Sequence, residues 1–231
     1  MTFFRNLIIT LLLNFIFIEV YCQTDLTTHS LINIKSTTLD TIKLTEKIKI
    51  INVLWLNDTI RLSVSKERTD TSSLKTINPK GYFASRGFIF TVNSINQNCF
   101  SYALEKYFEN SKTYRQNIFK KTTTIDRVSI EKILKNSFIK ITEFTTKPRR
   151  NLKKPIPNDV ILAFVDDLGS IIHTAYYRDK IFYTKNGGFA PDTFESLNEF
   201  IKKTYWNTKK IIVYRIDEDK IKRTCTNILY K

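Results

Sequence analysis

Apolar and polar positions alternate along two early stretches, 47–53 and 60–64, where Ile48, Ile50, Ile60 and Leu62 fall two residues apart. Alternation at that period predicts half-buried strands, and Asn57-Asp58 between them predicts a turn. From 66 to 80 polarity rises and Pro79-Lys80-Gly81 supplies turn chemistry, which places a loop boundary near residue 80. Beyond it the pattern predicts a short strand at 88–92, a polar loop at 93–98, and a helix over 99–110 with Phe100, Ala103, Leu104, Tyr107 and Phe108 at helical spacing. A second helix is expected near 129–135. The unbroken apolar run 160–165, then 170–177 and 180–184, read as three strands at hairpin spacing, with Asp166-Asp167-Leu168-Gly169 as the first turn. An amphipathic helix at 194–205 and a last strand at 210–216 follow. Helices first and an antiparallel meander after predict an α+β fold, with the helix that carries Cys99 packed on the sheet.

The first 22 residues carry a different pattern. Arg5 precedes an apolar run from 7 to 20, broken by Asn14 and Glu19, and Val20-Tyr21-Cys22 leads into polar Gln23-Thr24-Asp25. This is the three-part layout of an export signal, shorter than a membrane span, so a chain beginning at Gln23 and secreted or periplasmic is expected. A lipid anchor on Cys22 is the alternative, against which Glu19-Val20-Tyr21 is a poor fit. The expected organisation is a signal segment at 1–22, a strand-rich N-terminal extension at 23–80 and a single domain at 81–231.

Composition narrows the function. Five glycines and five prolines exclude Gly-rich and Pro-rich repeats, and no segment recurs at a solenoid period. The formal charge is +15, with five cations in the eight residues from Lys147 to Lys154, a loop that anions could approach. No zinc-finger, RNP or recognition-helix pattern accompanies the charge, so specific nucleic-acid binding is not expected. Spacing for a metal site, a phosphate-binding loop and a dinucleotide turn is lacking, so no cofactor is expected.

The candidate chemistry is a thiol and an imidazole. Cys99 opens the expected helix, where unpaired N–H groups and the macrodipole favour a thiolate and an oxyanion. The chain has two histidines, His29 and His173, and His173 falls within the expected strand at 170–177, placed to act as a general base. Cys225 has no base or helix start beside it in sequence.

Asn98-Cys99-Phe100-Ser101-Tyr102-Ala103-Leu104, the strand entry Pro157-Asn158-Asp159-Val160-Ile161-Leu162, and His173-Thr174-Ala175 together resemble the papain-like NlpC/P60 and CHAP group of cysteine peptidases and amidases, over roughly residues 93–216. The resemblance implies a papain-like fold, Cys99 as nucleophile, His173 as base and acid, and a third polar residue on the next strand that orients the imidazole. Asn186 is the expected third residue, with Lys185 beside it as another polar group, and Asn93, Gln97 and Asn98 are candidates to complete an oxyanion hole. It also implies amide cleavage in peptide or peptidoglycan stem-peptide substrates, for which a basic protein would suit an anionic cell wall. A non-catalytic secreted binding protein, or an antibacterial effector on the same scaffold, is the alternative.

Overall fold

The computed structural model describes residues 31–65, 75–77, 90–92, 97–187 and 190–229. The expected signal segment at 1–22 with Cys22, the new terminus Gln23, His29, and Asn93 of the expected polar loop lie outside the described residues. The described residues from 33 onward group as one compact unit.

Within that unit the fold is α+β, with two main antiparallel sheets. In chain order, β1 is Ser36–Leu44, β2 Ile48–Trp55 and β3 Asp58–Ser65; α1 is Cys99–Asn110, β4 Thr123–Ile125, α2 Arg127–Ser137 and β5 Phe138–Thr145. A 3-10 turn at Arg149–Lys153 leads to β6 (Val160–Val165), β7 (Ile171–Arg178), β8 (Ile181–Lys185) and β9 (Pro191–Phe194); α3 (Leu197–Lys203), β10 (Lys210–Ile216) and α4 (Glu218–Leu229) finish the chain. A short pair, Lys75–Ile77 with Phe90–Val92, stands apart from both sheets.

The smaller sheet runs β1-β2-β3-β4. The expected hairpin is present: Trp55 faces Asp58 across the turn, and the register continues to Ile48 opposite Ser65. The fourth strand arrives from beyond α1, with Leu62 opposite Ile125. The larger sheet runs β9-β8-β7-β6-β10-β5. Strands β6 to β8 form the expected meander, β9 adds a fourth strand beside β8, and β10 returns to the free side of β6, with Ile161 opposite Tyr214. β6 is buried along its whole length, which is why its sequence is a continuous apolar run rather than an alternating one.

One face of the larger sheet packs Phe164, Ala175, Tyr177 and Phe182 against Leu197 and Ile201 of α3. The other face receives α1, whose Tyr107 ring meets Tyr176 edge-on and whose Tyr107 hydroxyl accepts from the Ile216 N–H at 3.0 Å. α1 also meets the smaller sheet, through Phe108 against Trp55, with Phe119 completing the cluster. Ser101 donates to the Thr123 carbonyl at 2.7 Å, and Asn98 donates its amide to the Ile125 carbonyl at 2.7 Å.

The helix at 194–205 is shorter than expected. Phe194 ends β9 opposite Phe182, Ser196 caps α3, and Thr204 closes it. Strands β1, β4, β5 and β9 and helix α4 were not anticipated from the pattern.

Asn98 has two structural roles: its Oδ1 accepts the Ser101 N–H at the start of α1, while its amide holds β4. Asn98→Ala should lower stability by about 1–3 kcal/mol, as loss of a helix cap and of a partly buried hydrogen bond. Asn98→Asp, which keeps the cap acceptor and loses the amide donor, should recover about half of that in urea unfolding.

Candidate functional site

Cys99 is the first residue of α1, and α1 starts there because the Asn98 side chain caps it. Its carbonyl accepts from the Thr174 hydroxyl at 3.0 Å. That bond fixes the helix start against β7, one residue from His173. The backbone N–H groups of Thr174, Phe100 and Cys99 itself act on the sulfur and pull the thiol pKa down, and the Lys185 ammonium does so through space. Burial outweighs them: the residue is 8% exposed, and the thiol is pushed up to about 11 from its ordinary 9.0. The expectation that the helix start lowers this pKa is therefore corrected. Cys99 is a free thiol.

His173 is fully buried. Side chains alternate along a strand, so His173 shares a face with Ala175 and Tyr177, toward α3, while Thr174 and Tyr176 face α1. Its ring stacks on Tyr205 at 4.1 Å between centroids and meets Phe164 and Phe200 at 5.4 and 5.6 Å. Nε2 lies 2.6 Å from the Thr184 hydroxyl, and Nδ1 has no hydrogen-bond partner. Neither imidazole nitrogen is hydrogen-bonded to the thiol. With no facing carboxylate, burial alone drives the imidazole pKa down to about 3.

Asn186 does not orient the imidazole; this corrects the assignment made from the resemblance. Its Oδ1 accepts from the Tyr205 hydroxyl at 2.8 Å, so it holds the ring that stacks on His173 rather than His173 itself. Thr184 has the orienting position. The hairpin register pairs Tyr177 with Phe182, so Thr184 falls on the face of β8 that His173 occupies on β7. Counting back from the turn at Asp179-Lys180 would have put Thr184 opposite Ala175, on the His173 face but two residues away, and position 186 opposite His173, so the register alone favours Asn186. Lys185 shares the other face of β8 with Tyr183, on the α1 side, and its Nζ donates to the Gly187 carbonyl at 2.7 Å. Burial lowers its pKa to about 8.

The oxyanion-hole candidates are corrected as well. Gln97 donates its amide to Glu105 at 2.7 Å, and the Asn98 amide is committed to Ile125. The donors left at the thiol are backbone N–H groups. Cys225 lies within α4, seven residues after its first residue Glu218. Among the described residues no group of His, Cys, Asp and Glu is arranged to hold a metal, and no helix is long and apolar enough to cross a membrane.

Two consequences are measurable. Iodoacetamide should modify Cys99 in the native protein more slowly than an unfolded cysteine at pH 8, with the rate climbing about tenfold per pH unit up to about pH 11. A rate that levels off below pH 9 would show a thiolate already formed. The folded protein excludes a proton from His173 that the unfolded chain binds below about pH 6.5, so the sign is fixed. This contribution to stability is complete above about 6.5 and is lost as pH falls toward about 3, by roughly 1 kcal/mol per pH unit. His173→Phe, which packs in the same aromatic cluster without titrating, should flatten the acid limb of a thermal-midpoint profile.

No family model, no curated protein and no solved structure matches the chain.

Proposed function

We propose that the chain is a papain-like cysteine hydrolase of the NlpC/P60 and CHAP kind, exported from the cytoplasm and acting on an amide bond in peptide or peptidoglycan stem-peptide substrates. The observation that supports this reading is the thiol at a helix start, acted on by the N–H groups of Thr174, Phe100 and Cys99. One residue from Thr174 along β7, on the other face of the sheet, His173 has a restrained Nε2 and an unpartnered, buried Nδ1.

In the tautomer that leaves Nδ1 free, Nε2–H donates to Thr184, and Nδ1 is the base. With the thiol at about 11 and the imidazole at about 3, the resting pair is neutral, not a thiolate-imidazolium pair. Proton transfer therefore accompanies attack. The sulfur bonds to the acyl carbon as its proton passes to Nδ1, the carbonyl oxygen gains charge against the backbone N–H groups, and the imidazolium then protonates the departing amine. Water, deprotonated by the same nitrogen, releases the acyl group from sulfur. At rest Thr174 faces α1 and His173 faces α3, so the thiol and the ring lie toward opposite faces of β7, and the proton transfer requires β7 and its neighbours to rearrange around the substrate.

The burial of both groups favours a second reading, a secreted binding protein on a scaffold that does not turn over. One assay separates the two. Offered peptidoglycan fragments and a mixed peptide pool, the wild-type protein should cleave one of them. Cys99→Ala should abolish cleavage, His173→Ala should reduce it about 10²–10⁴-fold, and Thr184→Val should reduce it less and shift the pH profile. Cleavage that survives Cys99→Ala overturns the hydrolase reading; no cleavage by the wild-type protein leaves the binding reading.

A further inference from the structure

A cavity of about 780 Å³ opens on the α3 side of the larger sheet, away from the thiol. Its size is within the range of small-ligand sites. Three segments build it: the end of β5 with the 3-10 turn, the turn between β6 and β7, and α3 with the 204–209 connection to β10. The connection is pinned: the Thr146 hydroxyl donates to the Thr208 carbonyl at 2.8 Å, Thr146 N–H to the Lys209 carbonyl at 2.9 Å, and Lys209 N–H to the Val165 carbonyl at 2.8 Å.

The walls combine three kinds of group. Trp206 is 66% exposed, an unusual place for so large an aromatic surface. Lys147, Arg149, Lys202 and Lys209 line the cavity and make no side-chain hydrogen bond or ion pair with the described residues. Asn198, Asn207 and Asp167 line it with side chains similarly free, and Thr208, 2% exposed, has a hydroxyl without a hydrogen-bond partner. A buried hydroxyl without a partner is costly, and a ligand hydroxyl would satisfy it.

We infer that this cavity binds an acidic oligosaccharide. The apolar C–H face of a sugar ring stacks on the Trp206 indole through dispersion, its hydroxyls pair with Asn198, Asn207, Asp167 and Thr208, and its acidic groups meet the four cations. Single-stranded nucleic acid shares the negative charge and fits less well. A run of bases is held by several aromatic platforms, whereas Trp206 is the one aromatic side chain lining this cavity among the described residues. The assignment does not depend on catalysis at Cys99. It gives a role to Lys147 and Arg149 of the basic 147–154 segment, which the sequence presents as a loop open to anions.

Calorimetric titration of the full chain with oligogalacturonate, neutral dextran oligomers and oligothymidylate tests it. Oligogalacturonate should bind at a single site with affinity that falls as salt rises, and dextran should not bind measurably. Trp206→Ala should weaken binding about tenfold or more, and Lys202→Ala with Lys209→Ala should weaken it and flatten the salt dependence. All three positions are exposed at the cavity, and equal thermal midpoints would confirm intact folding. Thr208→Val should also weaken binding, by loss of a hydroxyl contact. No binding of oligogalacturonate, undiminished binding by folded Trp206→Ala, or tighter binding of oligothymidylate would each overturn the assignment.

Discussion

The structure depends on burial of α1 between two sheets. A surface helix needs one apolar stripe, but Cys99 through Glu105, with Tyr107 and Phe108, are all buried. Phe108 packs toward Trp55 and the small sheet, and Tyr107 packs toward Tyr176 and the large one. Such a helix has little room for unpaired polar groups, and its start shows how they are met. Asn98 serves the Ser101 N–H and the Ile125 carbonyl, Ser101 serves Thr123, and Thr174 serves the Cys99 carbonyl. These bonds tie both sheets to one helix end, so the start of α1 is where the sheets are held in register with each other.

The same burial sets the chemistry. A helix amino terminus at the surface favours a thiolate; here low-dielectric surroundings overcome the dipole, the three N–H groups and the Lys185 charge together. His173 is subject to the opposite shift for the same cause, since burial removes whichever form is charged. The two shifts widen the gap between thiol and imidazole. Both groups are neutral at rest, and the thiol is slow toward small electrophiles.

Much of the larger sheet was legible in the sequence because its strands bury regular sets of residues. Val160 to Val165 reads as a fully buried strand, and Cys99 to Asn110 reads as a helix, with the bounds the structure gives. β1 was not legible: Ser36 to Leu44 is exposed along nearly its whole length, so partner hydrogen bonds rather than apolar spacing make it a strand. β5 hides for the same reason, with Ile139 to Glu143 exposed between Phe138 and Phe144. At the site, Cys99 and His173 stood out by residue type and position. Thr184 did not, because a threonine in a strand carries no signal until the folded hairpin brings its hydroxyl diagonally to the imidazole. The thiol pKa could not be read at all, since it follows from how deeply α1 is covered and not from the residues beside Cys99.

Tyr205 and Trp206 show how one short connection serves two environments. α3 ends at Thr204, and the next residue turns inward to stack on His173 while Asn186 holds its hydroxyl; the residue after it turns outward into the basic cavity. Tyr205 also accepts the Thr208 N–H on its carbonyl at 2.9 Å, and Thr208 is fastened to Thr146. Displacing Trp206 therefore moves a backbone whose neighbouring ring forms one wall of the imidazole pocket. The hydrogen bonds of this turn hold Tyr205 against His173 on one side and Trp206 beside the cations on the other, so packing around the imidazole and the shape of the cavity share the same few contacts.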